Sequence, residues 1–266
     1  MRNDSVGLEE GRLHDVNTME DYQSLHERHR IFPRVFENRH HRRILDISAG
    51  VGVVGRNIRD ASYPAELICN DVSPTCLKVM REAGLETVSF DLDPPDARYP
   101  FPDGHFDAVI SLATIEHLMS VEHFLTEIHR ILNDNGFLYL SAPNYSGLTY
   151  LLPFLATGKT FHDPMDETSR YEFYAHVRYF TFRTLAELVG SMGYVLDTVY
   201  LAVPQESSKY NALKSRSKWK AIIFRGTMTL IYKLCSPRWA AEPVLCFRKQ
   251  GVGPEVRTAR ARKIVL

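Results

Sequence analysis

The stretch Ile44 to Gly55, ILDISAGVGVVG, constrains this chain more than any other. Arg43 to Ile47 is a short apolar run with an acid, Asp46, inside it. The chain then turns through Ser48, Ala49, Gly50, Val51 and Gly52, and the residues from Val53 to Ile58 can open a helix. A buried strand, a tight turn of small residues and a helix N-terminus make a cradle for a nucleotide-like ligand. Glycines let the backbone come close to such a ligand, and the free N–H groups at the helix start point at it.

Three readings of this stretch stand side by side. Gly50-x-Gly52-x-x-Gly55 matches the dinucleotide fingerprint letter for letter, and Asp71 lies 19 residues beyond Gly52, where an acid would hold a ribose. That points to a nicotinamide-dependent oxidoreductase. Against it, Asp46 sits inside the strand, four residues before the first glycine, where a dinucleotide fold is apolar. An acid followed by small residues up to a glycine turn is the second pattern. The third is a tight turn that holds nothing. Ser48 fits the turn only if its position does not demand a positive φ, which serine disfavours.

Length and composition narrow the setting. The chain has 266 residues, enough for one large domain with an appendage, and it can bury a sizeable core. Its formal net charge of +0 gives no global field for nucleic acid, and no nucleic-acid partner is expected. The start, MRNDSVGLEEGRLHD, lacks an apolar core segment, and no run of apolar residues is long enough to span a bilayer. Cys69, Cys76, Cys235 and Cys246 are scattered and read as free thiols of a reducing cytoplasm.

In chain order, residues 1 to about 15 read as disordered, and Met19 to Val35 as a polar helix with Tyr22, Leu25, Ile31, Phe32 and Val35 as its apolar points. After the opening motif, Glu66 to Asp71 is a second strand ending in an acid. Ser73-Pro74 caps a helix, Thr87 to Phe90 is a third strand with Asp91 at its end, and Phe106 to Leu112 is a fourth. Val121 to Leu132 has the apolar period of a helix, and Phe137 to Ser141 is a fifth strand. This alternation means a parallel sheet with helices on both faces. Asp46, Asp71 and Asp91 then fall in or just after successive strands, where such sheets bind ligands.

Four further segments turn the pattern into a resemblance. PFPDGHFDAVIS from Pro100 is similar to the "LPFPDGSFDxVxS" segment of class I S-adenosylmethionine-dependent methyltransferases of the UbiE/MetW-like kind. Thr114 to Leu118 is similar to their "xxEHL", Glu127 to Gly136 to "EixRvLkpGG", and Ser141 to Asn144 to "STPN". Asp46 to Gly52 then corresponds to their acid-x-Gly-x-Gly-x-Gly turn, with Ser48 in place of the first glycine and Asn135 in place of a later one. The resemblance is dense from Arg43 to Asn144. It makes the oxidoreductase reading a minor alternative, beside a relative that binds the cofactor without turnover.

The resemblance implies a Rossmann-like, seven-stranded, mostly parallel α/β sheet with helices on both faces and an antiparallel last strand. It implies S-adenosylmethionine as cofactor. By position, Asp46 and Ser48, Ala49, Gly50 and Gly52 stand beside the methionine part, and Asp71 holds the ribose. Val72 packs on the adenine, Asp91 and Leu92 meet its edge, and Leu112 lines the other side. His117 and His176 are the candidate bases for the acceptor. His162, Asp163, Asp166 and Glu167 could be read as metal ligands, but a polar loop carries such residues without purpose, so no metal is expected.

The aromatic region after Asn144 is the expected acceptor pocket, for a glycan, lipid-linked or small-molecule acceptor methylated on oxygen. The expected organisation is an N-terminal helical cap over 1–35, a cofactor-binding core over 36–204, a basic amphipathic insertion over 205–241, the last strand over 242–250 and a flexible tail over 251–266. From Lys209 to Ala241 there are eight basic residues and no acid, with Trp219, Ile222, Ile223, Leu230 and Leu234 at helical spacing. Such a helix either lies at the inner face of an anionic membrane or packs its apolar face on the domain, the commoner arrangement.

Overall fold

The computed structural model describes residues 2–159, 162–165, 170–250 and 261–266, with the backbone alone at 2–5 and 8. The helix α1 (Arg2–Arg12) leads through the single turn α2 (Glu27–Arg30) to β1 (Arg43–Ile47). Then come α3 (Val53–Asp60), β2 (Glu66–Asn70), α4 (Pro74–Glu82), β3 (Glu86–Val88) and β4 (Phe106–Leu112). They are followed by α5 (Val121–Ile131), β5 (Leu132–Ser141), α6 (Leu148–Thr157), α7 (Arg170–Ala175), α8 (Phe182–Ser191) and β6 (Tyr194–Leu201). The chain closes with α9 (Ser208–Arg216), α10 (Lys218–Leu234), β7 (Val244–Lys249) and β8 (Arg262–Val265).

Among the described residues one sheet of eight strands runs in the order β3-β2-β1-β4-β5-β7-β6-β8. From β3 to β5 all pairs are parallel, and β7 is antiparallel to both its neighbours. The strand order reverses between β1 and β4, so the carboxyl ends of these two strands open the crevice in which such sheets bind ligands.

Periodicity explains the layering. Phe124, Leu125, Ile128 and Ile131 recur on one face of α5, and with Leu185 and Val189 of α8 they bury one side of the sheet. Ile31, Phe32, Val35 and Phe36, with Val54 and Ile58 of α3, cover the other side. Asn144 fastens the far end of β5. Its Nδ2 donates to the carbonyls of Arg238 and Ala240 at 2.8 and 2.6 Å, and its Oδ1 accepts the N–H of Phe182 at 2.8 Å.

The structure departs from the sequence reading at both ends. Residues 2–12 are helical, and Leu13 is buried beside Met19. The stretch from Met19 to Val35 is a set of short turns instead of one helix. Pro33 interrupts it, since the residue before a proline disfavours helical geometry. The eighth strand was read as part of a flexible tail. It pairs in parallel with β6, held further by the Val203 N–H on the Leu266 carbonyl at 2.8 Å. Four residues behind a charged run carry too little pattern to announce a strand. The rest of that tail, residues 251–260, lies outside the described residues.

The basic insertion forms α9 and α10, and only part of its apolar surface packs on the domain, where Met228, Ile231 and Tyr232 meet Val199, Leu201 and Val203. Only Ala221 and Tyr232 of α10 are buried, whereas Trp219 is 76% exposed and Leu234 is 75% exposed. Ile222, Ile223, Phe224 and Leu230 are exposed too, and so are Leu152, Phe154 and Leu155 on α6. The helix thus packs one part of its apolar surface on the domain and leaves the rest exposed.

Candidate active site

The turn after β1 is built from left-handed backbone. Ser48 has φ 52°, Gly50 φ 57° and Gly52 φ 83°. Ser48 thus stands at a position that does demand positive φ, and the serine carries local strain of about 1–2 kcal/mol. Ala113, the residue after β4, is also left-handed at φ 54°. Ile47 pairs with Ser111, so the two strained residues flank the strand-order switch on neighbouring strands. Strained backbone of this kind gathers at ligand sites. Gly52 opens α3, and a Cβ on it would come within 2.7 Å of Leu85 Cδ1 and Met80 Cγ. A Cβ on Gly50 would meet nothing within 4 Å, so the turn faces open space there.

The acids converge on this turn. Asp71 Oδ2 accepts the N–H of Gly50 at 2.9 Å, and its Oδ1 accepts the N–H of Ser73 at 2.9 Å. Burial pushes its pKa up to about 6, against the pull of those N–H groups. Asp46 is buried with Oδ2 unpartnered, and burial together with the charge of Asp71 pushes it up to about 8. Val72 is exposed beside Asp71, and Leu112 is half-buried at the end of β4. Asp91 is exposed beyond β3, where it accepts the N–H of Asp93 at 3.0 Å. Leu92 turns its side chain into the core, and its carbonyl accepts from Tyr99 Oη at 3.0 Å.

Buried polar atoms without partners collect at the same edge of the sheet. Besides Asp46 Oδ2 they are Ser111 Oγ, Thr114 Oγ1 and Ser141 Oγ, at or just past the ends of β1, β4 and β5. Such orphans are expensive unless a ligand meets them. Open space above Gly50, a carboxylate at the end of β2 and unmet donors and acceptors along β1, β4 and β5 fit a ligand with ribose hydroxyls and an amino-acid tail. The helix α1 reaches across this edge. Glu10 accepts from the hydroxyls of Ser73 and Thr75, and Glu9 accepts from Tyr171 Oη of α7 at 2.9 Å.

On the acceptor side the two candidate histidines meet. The rings of His117, just after β4, and His176, just after α7, are 4.7 Å apart. His117 Nδ1 bonds the carbonyl of Ala175 at 3.0 Å, and His176 Nδ1 bonds Tyr145 Oη at 2.9 Å. His162 Nε2 bonds the same hydroxyl at 2.8 Å. Glu116 is wholly buried with both carboxylate oxygens unpartnered, while its carbonyl accepts the N–H groups of Val177 and Arg178. Burial pushes the Glu116 carboxyl up to about 8 and His176 down to about 3, the latter helped by its two histidine neighbours.

Tyr145 and His162 belong to the aromatic region expected to form the acceptor pocket, but their contact with His176 was not readable from the sequence. A lone aromatic and a loop histidine carry no spacing signal, and only the fold brings positions 116, 145, 162 and 176 together. Of the loop acids once weighed as ligands, Asp163 pairs with Lys159 Nζ at 2.9 Å, and Asp166 and Glu167 lie outside the described residues.

Comparison with known proteins matches residues 17–199 to the methyltransferase domain family. A demethylmenaquinone methyltransferase of Deinococcus radiodurans is 32% identical over 111 residues, 40% of this chain and 46% of that one. A fatty-acid O-methyltransferase of Mycolicibacterium smegmatis is 34% identical over 110 residues, 39% of each chain. The chain thus spans less than half the length of these curated relatives. Among solved structures, a Pyrococcus horikoshii protein superposes with TM-score 0.56 at 18% identity, over 90% of this chain and 97% of that one. A SAM-dependent methyltransferase of Thermotoga maritima gives TM-score 0.53 at 16% identity, over 79% and 82%. These two likenesses concern the fold.

Proposed function

This chain belongs to the methyltransferase domain family and its cofactor is S-adenosylmethionine; we propose that it moves the cofactor's methyl group to an oxygen of an apolar, membrane-presented acceptor. The bound cofactor supplies a methyl group on a sulfonium, which leaves as a neutral thioether. The nicotinamide alternative falls with the family match.

The chain's own residues then have to hold and align. Asp71 takes the ribose and keeps the glycine turn in shape, and Asp46 with the turn from Ser48 to Gly52 takes the methionine part. Val72, Asp91 and Leu92 serve the adenine side, and Leu112 lines the cleft beyond. Alignment of acceptor and methyl can contribute on the order of 7–11 kcal/mol in the best intramolecular cases. His117 and His176 act on the acceptor oxygen. One nitrogen of each ring is committed to an orienting partner, which leaves the other as a lone pair for the acceptor proton or for a cation.

The observation that carries the acceptor class is the exposed apolar face of α10 and α6. Gly147, which caps α6, packs against Ala240 and Ala241, so α6 starts beside Tyr145 and against the segment that follows the end of α10. Bulky exposed apolar residues interspersed along the chain with Lys214, Lys218, Lys220, Arg225 and Lys233 suit an anionic lipid surface, where each base is worth about 1 kcal/mol. Among the described residues no helix is long and apolar enough to cross a membrane. Two relatives act, by name, on demethylmenaquinone and on a fatty acid, which agrees with an apolar acceptor.

Vesicle flotation at low salt tests this reading. The protein should float with anionic vesicles, be released by salt, and lose binding as Trp219→Glu/Ile223→Glu. Labelled S-adenosylmethionine should then place its methyl in organic-extractable material from membranes. A protein that stays unbound to anionic vesicles, or that labels only water-soluble acceptors, refutes the membrane-presented acceptor.

A further inference from the structure

We infer that Glu116, His117 and His176 form a binding site for one divalent transition-metal ion of zinc type, on the acceptor side of the cleft. Ligand atoms of the three residues lie within 4.8 Å of one another. Two histidines and one carboxylate, with a fourth position left over, are a donor set that zinc accepts in tetrahedral sites with an open coordination position. The inference uses the methyl-transfer reading only to say what the open position is for, namely an acceptor oxygen or a water.

Three observations support a cation here over a merely satisfied polar cluster. Both buried Glu116 oxygens lack a hydrogen-bond partner, and a cation is a partner that would meet them. Arg28 is the cation that acts on Glu116 electrostatically, but its Nη1 bonds Glu242 and His26, its Nε is unpartnered, and no hydrogen bond joins it to Glu116. Each histidine has its Nδ1 tied to an oxygen, the Ala175 carbonyl for His117 and the Tyr145 hydroxyl for His176. Those bonds orient the rings and leave Nε2 of each available, which is how outer partners prepare metal-binding histidines. Third, the Tyr145 hydroxyl is itself held by His162 at 2.8 Å, so the outer layer is built two residues deep.

The sequence reading expected no metal because its candidates lay in one polar loop. The residues that meet come instead from the end of β4 and the end of α7, separated by 59 positions in the chain, counting from His117 to His176.

Cobalt titration of the chelator-stripped, full-length protein tests the site, with S-adenosylhomocysteine binding measured by calorimetry on the same samples. The expected result is one Co²⁺ per chain, with visible absorption bands that Zn²⁺ competes away. His117→Ala and His176→Ala should each abolish stoichiometric uptake. Tyr145→Phe, which removes only the orienting hydroxyl, should weaken it by roughly 10- to 100-fold. Retained S-adenosylhomocysteine binding shows that the variants are folded. A wild-type protein that takes up neither ion, or uptake that survives both histidine substitutions and so belongs to other histidines, overturns the inference. Metal uptake without S-adenosylhomocysteine binding keeps the metal site and refutes the methyl-transfer reading instead.

Discussion

Asp71 accepts the backbone N–H of Gly50 at 2.9 Å, so the acid that ends β2 holds the shape of the turn that follows β1. One side chain thereby serves two strands at the ligand edge of the sheet. We propose that its remaining acceptor capacity serves the ribose. Asp71→Ala loses both the turn bond and the ligand bond. Hydrogen bonds to a charged group are worth about 1.5–3 kcal/mol each, so S-adenosylhomocysteine should bind about 10- to 100-fold more weakly. Asp71→Asn, which keeps one acceptor oxygen, should recover part of the loss. Unchanged affinity of Asp71→Ala in calorimetry removes Asp71 from the cofactor site.

Gly50 and Gly52 should fail in different ways when given a methyl group. Both have positive φ, so alanine costs about 1–2 kcal/mol at either position. At Gly52 the new Cβ also meets Met80 and Leu85 at 2.7 Å, so Gly52→Ala should unfold at a clearly lower temperature. At Gly50 it meets nothing within 4 Å and projects into the space assigned to the cofactor. Gly50→Ala should therefore lose only the backbone contribution, unfold at a higher temperature than Gly52→Ala, and lose S-adenosylhomocysteine binding. The reverse pattern in paired thermal and calorimetric measurements contradicts this division of roles.

Ser48→Gly should stabilise the protein. Serine at φ 52° carries the left-handed penalty that glycine avoids, though glycine gives back part of the gain by loosening the unfolded chain. A net gain of about 1 kcal/mol corresponds to roughly 2–4 °C for a chain of this size. A lower melting temperature for Ser48→Gly means that the hydroxyl makes a compensating contact.

The sheet was readable because its signals are local. β1, β2, β4 and the Phe137–Ser141 half of β5 are apolar runs bounded by turn residues, and Ser73-Pro74 marks the start of α4 as a capped helix with a proline in its first turn. Asp46, the glycine turn and Asp71 were found because their spacing in the chain mirrors their spacing in the fold. What stayed hidden depends on distant residues meeting. The Glu116–His117–His176 group, with Tyr145 and His162, exists only after the α7 region folds back onto the end of β4. The exposure of α10 was illegible for the opposite reason. An amphipathic period states that a face is apolar, not whether anything covers it. Ser48 and Asn135 make the same point for single residues. Both replace a glycine of the family pattern, yet only Ser48 occupies positive φ.

The buried Asp46 predicts an unusual dependence of ligand-free stability on pH. A carboxyl in the unfolded chain titrates near about 3.9, whereas in the fold burial and Asp71 hold Asp46 near about 8. As pH rises between these values the unfolded chain sheds a proton that the folded chain keeps. Stability therefore falls with pH, by at most about 1.4 kcal/mol per pH unit for one proton. Asp71 contributes with the same sign only up to about 6, whereas Glu116, also held near about 8, contributes alongside Asp46 from about 6 to about 8, so the difference between wild type and an Asp46 variant is what isolates Asp46. Asp46→Asn should flatten that part of the profile, so its melting temperature gains on wild type from pH 6 to pH 8. The same variant should bind S-adenosylhomocysteine more weakly, because the orphaned Oδ2 is part of the unmet edge at the end of β1. Thermal unfolding of both proteins at the two pH values decides the matter. Parallel curves mean that Asp46 is ionised in the fold and finds a countercharge there.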